Sequence, residues 1–235
     1  MLLSHSNKFI FIHIFKTAGS SVRNEFVDYS RFIDKLAYKY KLSKFILNRI
    51  NKLMGWLNDG MVQFTGFSKH ATASEIKTGL PSNIFDDYFK FIFVRNPYDL
   101  MVSQYFYSRQ KKWYTYHNAA INKDFSEFVS WYIAQNPQRQ TDFLLDQNSK
   151  ELIVDYIGRF ESISSDLEKI KSILNINSKQ EFSHVNPSII RKNKDYKVYY
   201  DSKSQKLVED YFKDDLEQLG YTFEGFETVI PILNT

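Results

Sequence analysis

Residues 13–21, HIFKTAGSS, follow the apolar run KFIFIHIF and turn abruptly into one lysine, one glycine and three hydroxyl side chains. If the apolar run is a buried strand, Lys16, Thr17, Ala18, Gly19, Ser20 and Ser21 form the turn at its carboxyl end and feed a helix carrying Val22 and Phe26. Free backbone N–H groups and the positive end of the helix dipole favour an anion there. Gly19 permits close backbone approach, and the hydroxyls of Thr17, Ser20 and Ser21 can donate to phosphate oxygens. The same residue types are common helix caps, so the local pattern leaves both uses open. It is not a Walker A motif, because Lys16 precedes the only glycine of the stretch.

A second strand tip offers a partner. In FKFIFVRNPYDLMVSQY, Arg95 stands directly after an apolar run, Pro97 suits the first helical position and Ser103 falls about two turns into the helix. Arginine presents a bidentate fork to phosphate. Alone, Arg95 could equally pair with a carboxylate and Ser103 could face solvent. Together, two anion-binding tips suggest a ligand with two separated phosphates.

The elements that would position these residues alternate. Strand-like runs are Lys8–Ile14, Met61–Phe64, Phe89–Val94 and Leu152–Ile157. Helical patterns cover roughly 20–57 with breaks, 98–109, 124–134, 163–174 and 203–219, the last stopped by Gly220. This order predicts an α/β fold with helices on both faces of a mostly parallel central sheet, whose ligands bind at the carboxyl ends of strands.

At 235 residues, with 43% hydrophobic and 25% charged positions, the chain is expected to form one domain over 1–235. The aromatic share is high at 17%, and most of these rings are expected to serve packing. There is no cysteine, which excludes disulfides and thiolate chemistry and fits a reducing compartment. No apolar stretch approaches the roughly 18 residues of a membrane span, and no small-residue cleavage site follows the first apolar run, so a cytoplasmic location is expected.

Net charge is +4, and residues 31–60 hold seven Lys/Arg against two Asp/Glu, a balance of +5 that leaves the remainder at −1. Within that segment KLSKFILNRINKLM carries apolar side chains at 42, 45, 46, 50, 53 and 54, with Lys41, Lys44, Arg49 and Lys52 largely off the stripe. The pattern predicts a packed basic helix inserted at about 31–60; the alternative is a patch for an anionic polymer or a membrane surface.

Taken together, HIFKTAGSS resembles the 5′-phosphosulfate loop of sulfotransferases that use 3′-phosphoadenosine 5′-phosphosulfate (PAPS), and VRNPYDLMVSQY resembles their 3′-phosphate motif. The closest likeness is to the bacterial and Golgi carbohydrate sulfotransferase group that includes heparan sulfate 2-O-sulfotransferase. FSKHATASEI, VDYIGRFESISSDLEKI, HVNPS and DYFKDDLEQLGYTF extend it over nearly the whole chain. One departure is Phe15, where the family commonly has proline; it is expected to alter loop rigidity more than chemistry.

The resemblance implies a three-layer α/β/α, P-loop-like sulfotransferase fold, PAPS as donor and adenosine 3′,5′-bisphosphate (PAP) as product. It implies a carbohydrate or glycan acceptor, no nucleic acid and no metal. It assigns Lys16, Thr17, Ala18, Gly19, Ser20 and Ser21 to the phosphosulfate, and Arg95 and Ser103 to the 3′-phosphate. Lys16 would stabilise charge on the bridging oxygen and His70, between the two motifs, would be the general base.

In RQKKWYTYH, Arg109 and Lys112 stand beside Trp113, Tyr114 and Tyr116, a composition that suits an anionic sugar acceptor and equally suits a solvated basic loop. Arg191 and Lys192 lie in a late segment that in related enzymes closes over the nucleotide. Two other readings are a P-loop-type nucleotide kinase, disfavoured by the position of Lys16, and a non-enzymatic binder of anionic polymers through residues 31–60. If residues 41–54 form a packed helix, replacing Lys44, Arg49 and Lys52 by Gln leaves turnover on a small acceptor nearly unchanged. A large loss confined to a long anionic acceptor and relieved by salt would instead identify a polymer site.

Overall fold

A computed structural model of the chain describes residues 1–30, 67–177 and 190–227. The expected basic helix over 41–54, the strand Met61–Phe64, His184 and the HVNPS segment lie outside the described residues. The chain gathers into two compact units, one of residues 1–93 and 143–185, the other of residues 94–142 and 186–235. It is an α/β protein with a four-stranded, mostly parallel sheet.

The sheet runs β1 (Leu2–Ser4), β2 (Phe9–Ile12), β3 (Phe89–Val94) and β4 (Tyr156–Arg159) in spatial order. β1 is antiparallel to β2, with Leu2 opposite Phe11, and β2 is parallel to β3, with Phe9 opposite Phe89 and Phe11 opposite Phe91. All four residues of β2 are buried, as expected of a strand covered on both faces. On one face Phe9, Phe11, Phe91 and Phe93 meet Val22 and Phe26 of α1 (Gly19–Phe26) and Ile163, Leu167 and Ile170 of the helix Ile163–Ile173. Val22 and Phe26 stand four residues apart, and Ile163, Leu167 and Ile170 repeat at four and three, so each helix buries one stripe. Lys171 of the second helix pairs with Glu25 of α1 at 2.7 Å with both side chains almost fully buried, which joins the two helices laterally.

Between α1 and β3 the described residues include α2 (Ala73–Gly79) and α3 (Ser82–Asp87), short helices outside the expected helical patterns. α2 opens on a capping box in which the Thr72 hydroxyl accepts from Glu75 N and Glu75 accepts from Thr72 N. After β3 come α4 (Pro97–Gln110), α5 (His117–Asn122), α6 (Phe125–Ala134), α7 (Ile163–Ile173), α8 (Ser202–Tyr211) and α9 (Lys213–Leu219). Asn96 caps α4 through Tyr98 N, and Pro97 takes the first helical position as expected. In the second unit, the opening of α4 is packed by rings: Tyr98 lies 4.9 Å from Phe223, and Tyr200, whose hydroxyl donates to Tyr98 O, lies 4.9 Å from Phe125.

Two elements differ from expectation. The apolar run Leu152–Ile157 is not one strand: Leu152 pairs instead with Leu145 across a turn whose amides at Asn148 and Ser149 donate to Asp146. The chain joins β3 only at Asp155, whose N–H donates to Lys90 O and whose carboxylate accepts from Lys90 N. The expected single helix 203–219 is two, separated by Phe212 at φ −98°, whose carbonyl still accepts from Leu216 N. Gly220 then stops α9 at φ 64°, the left-handed cap that glycine adopts readily. β1 is too short for an alternation signal.

Gly158 in β4 faces the buried ring of Phe93: a Cβ there would lie 2.5 Å from Phe93 Cε1. Gly158→Ala is therefore expected to cost about 1–3 kcal/mol as overpacking and to lower the thermal midpoint by several degrees. Calorimetry showing an unchanged midpoint would remove this contact as a determinant of strand packing.

Candidate active site

In the first unit, the chain leaves β2 through His13 and Ile14, both buried, and turns at Phe15 and Lys16. Lys16 at φ 61° and Ala18 at φ 60° adopt the left-handed region, a costly conformation for side chains with a Cβ. Ala18 is the N-cap of α1 and offers no side-chain cap of its own. Ser21 N donates back to Ala18 O at 2.8 Å, and the start of a helix, where the macrodipole is positive, suits an anion. Thr17 is buried and its hydroxyl donates to Ile14 O at 3.2 Å, which closes the turn.

Gly19 is required for a steric reason. A Cβ there would stand 1.8 Å from Cδ2 of His13, so the loop folds directly onto that imidazole. His13 stacks on Phe11 and its Nδ1 is buried with no hydrogen-bond partner. Burial, and after it the positive charge of the chain amino terminus, push its pKa well below the ordinary histidine value, so His13 is neutral.

His70 reaches the same loop from the residues preceding α2. Its Nδ1 lies 2.8 Å from His13 O, its ring stacks on Phe15 with centroids 3.6 Å apart, and its centroid is 4.5 Å from that of His13. A carbonyl can only accept, so Nδ1 carries the proton and Nε2 keeps its lone pair. Burial lowers the His70 pKa to about 4; the bond to His13 O opposes this, while Lys69 and the amino terminus add to it. The structure thus brings together His70 and the turn that carries Lys16. Phe15 is the contact between them, a role sequence reading missed.

In the second unit, Arg95 and Ser103 are both buried. Arg95 Nε donates to Asp99 Oδ2 at 2.8 Å and its NH2 lies 2.7 Å from the same oxygen, the i,i+4 pairing that was one of the two readings of this residue. Asp99 also accepts from Arg191 NH1 at 2.7 Å through Oδ1, so two guanidinium groups share one carboxylate. Asp99 and Ser103 are themselves four residues apart on α4, which puts the Arg95 partner and Ser103 on one helix face. The Arg95–Asp99 spacing was legible in VRNPYD; the contribution of Arg191 to that carboxylate, across 92 residues of sequence, was not.

The residues expected at the acceptor fare differently. Arg109 is engaged by the fold, donating to Tyr105 OH at 3.0 Å and Ala120 O at 2.7 Å. Lys112 is exposed, and Trp113 beside it is 75% exposed. Among the described residues no helix is long and apolar enough to cross a membrane.

The two depressed histidines set a pH dependence. An unfolded histidine takes up a proton near pH 6.5, whereas His70 does so only near 4 and His13 well below its ordinary value. Between those values the unfolded chain binds more protons, so stability present above about pH 6.5 is lost progressively as pH falls. The melting temperature is expected to drop between pH 6.5 and 4, and less steeply in His70→Phe; parallel curves for the two proteins would contradict the assignment. Gly19→Ala is expected to displace the loop from His13 and abolish anion binding at 16–21, read by calorimetry with PAP.

A protein of Archaeoglobus fulgidus, uncharacterised, is 35% identical over 98 residues, 40% of this chain and 74% of the archaeal one. No solved structure matches the chain. The model of the Sulfotransferase family matches residues 1–222, which takes in both the loop after β2 and the Arg95 segment, and the chain belongs to that family.

Proposed function

We propose that this sulfotransferase moves a sulfuryl group from PAPS to a hydroxyl of a saccharide or glycan acceptor. The observation that carries the reading is the loop 16–21: a helix start with alanine as its N-cap, reached through two left-handed residues, folded against a neutral histidine and touching His70 through Phe15. Such a loop suits the phosphosulfate end of the donor. Arg95, held beside Asp99, and Ser103 on the same helix suit its 3′-phosphate.

In the transfer, the bond between sulfur and the bridging phosphate oxygen breaks, a bond from sulfur to the acceptor oxygen forms, and PAP leaves. Lys16 contributes positive charge that offsets the charge growing on the bridging oxygen. His70 Nε2 takes the acceptor's proton, and the His13 carbonyl, accepting from Nδ1, steadies the imidazolium that results. Phe15 limits water at the His70 ring. Lys112 and the exposed face of Trp113 suit contact with a sugar acceptor. The same reading places the reaction in a reducing, cytoplasmic compartment, in keeping with a chain without cysteine.

Transfer of labelled sulfuryl from PAPS to a panel of polysaccharides, oligosaccharides and glycolipids tests the activity and names the acceptor. Lys16→Ala is expected to weaken PAP binding and slow turnover, whereas His70→Ala spares PAP affinity and lowers turnover by about 10²- to 10⁴-fold. Because the neutral imidazole is the active form, the rate at saturating substrates is expected to stay level down to pH 5 and fall on the acid side with an apparent pKa of about 4. A folded His70→Ala protein that turns over within a few-fold of wild type would remove His70 as the base.

A further inference from the structure

β3 ends at Val94, and the next residue, Arg95, needs partners for its own backbone N–H and C=O in a buried setting. Both come from one side chain. Arg95 N donates to Gln140 Oε1 at 2.8 Å, and Gln140 Nε2 donates to Arg95 O at 2.8 Å. A carboxamide carries an N–H donor and a C=O acceptor in one plane, as a peptide group does. Gln140 therefore acts at Arg95 as a neighbouring strand would, continuing the ladder one residue beyond the sheet.

Gln140 is itself held. Its own N–H donates to Asp215 Oδ2 at 2.8 Å, and Thr141 donates to Asp215 Oδ1 through both N and Oγ1, each at 2.8 Å. Asp215 is fully buried in α9, as are Gln140 and Thr141 in the chain before it. Burial raises the Asp215 pKa to about 6 against the pull of those donors, so at neutral pH the carboxylate accepts all three. A buried anion of this kind, with no cation among these contacts, is costly unless its donors are in place, and it fixes the Gln140–Thr141 backbone.

We propose that Gln140, anchored by Asp215, is a positioning residue for Arg95: it fixes the arginine backbone so that the guanidinium is presented to the 3′-phosphate of the donor nucleotide. The proposal rests on the assignment of Arg95 to that phosphate. Asp99 orients the side chain from the helix while Gln140 fixes the backbone from which it projects. Neither Gln140 nor Asp215 needs to touch the nucleotide, so the effect on binding passes through Arg95 alone.

The test compares two probes, PAP and adenosine 5′-phosphate, which differ in the 3′-phosphate, by calorimetry on wild type, Gln140→Ala, Arg95→Ala and the double variant. Gln140→Ala is expected to weaken PAP about tenfold, to leave adenosine 5′-phosphate within twofold, and to cause no further loss of PAP affinity when added to Arg95→Ala. Gln140→Glu, nearly isosteric and keeping the acceptor for Arg95 N while losing the donor to Arg95 O, is expected to show the same selective loss and covers the case in which the alanine variant does not fold. Wild-type PAP affinity retained in either folded variant overturns the proposal and leaves the PAPS reading standing. Equal weakening of both probes also overturns it, since a general loosening of the fold would not distinguish them. A wild-type protein that binds PAP no better than adenosine 5′-phosphate overturns the assignment of Arg95, and the role of Gln140 with it.

Discussion

The approach of Gly19 to the imidazole of His13 is the constraint on which the loop depends. There is no room for a Cβ, so α1 can begin over the end of β2 only if that residue is glycine. The loop must then reverse within a few residues, and it does so through left-handed backbone at Lys16 and Ala18. Conformations that cost of order 1 kcal/mol or more persist where surrounding contacts over-determine them. Here those contacts are the buried ring beneath, the Thr17 bond to Ile14 O, and the core grip on Val22 and Phe26. The same residue that shapes the loop from below holds His70 with its backbone carbonyl.

Charge is handled differently in the two units. Around the loop the buried histidines are kept neutral by desolvation, so the lone pair of His70 Nε2 survives well below ordinary histidine pH values. In the second unit the charges are retained and shared: Asp99 stands between Arg95 and Arg191, which reduces the repulsion between two guanidinium groups. The opening of α4 is further held by Asn96, whose amide donates to Thr222 O and Gly225 O, and by the hydroxyl of Tyr200 on Tyr98 O.

The aromatic richness of the chain belongs largely to packing. Phe9, Phe11, Phe26 and Phe91 form a continuous set of ring contacts in the first unit, and Tyr98, Tyr196, Tyr200 and Phe223 do so around the start of α4. Tyrosine suits the second set because its hydroxyl can satisfy nearby carbonyls, as Tyr196 does at Phe223 O. Phe15 stands apart: it is an exposed ring that stacks on His70.

By itself the sequence determined the alternation of strands and helices, because apolar runs such as FKFIFV and helix stripes such as Ile163, Leu167 and Ile170 are local patterns with fixed periods. It also marked the loop 16–21, the Arg95–Ser103 spacing and the Pro97 helix start, since each is a feature of nearby residues. It did not reveal that Leu152 leaves the strand for Leu145, that Phe15 stacks on His70, or that Gln140 and Arg191 both serve the Arg95 segment. Those pairings join residues 7 to 92 positions apart along the chain, such as Leu145 with Leu152 and Asp99 with Arg191. No period or motif encodes them; they exist because the folded backbone brings one donor within reach of one acceptor, and only the tertiary structure decides which.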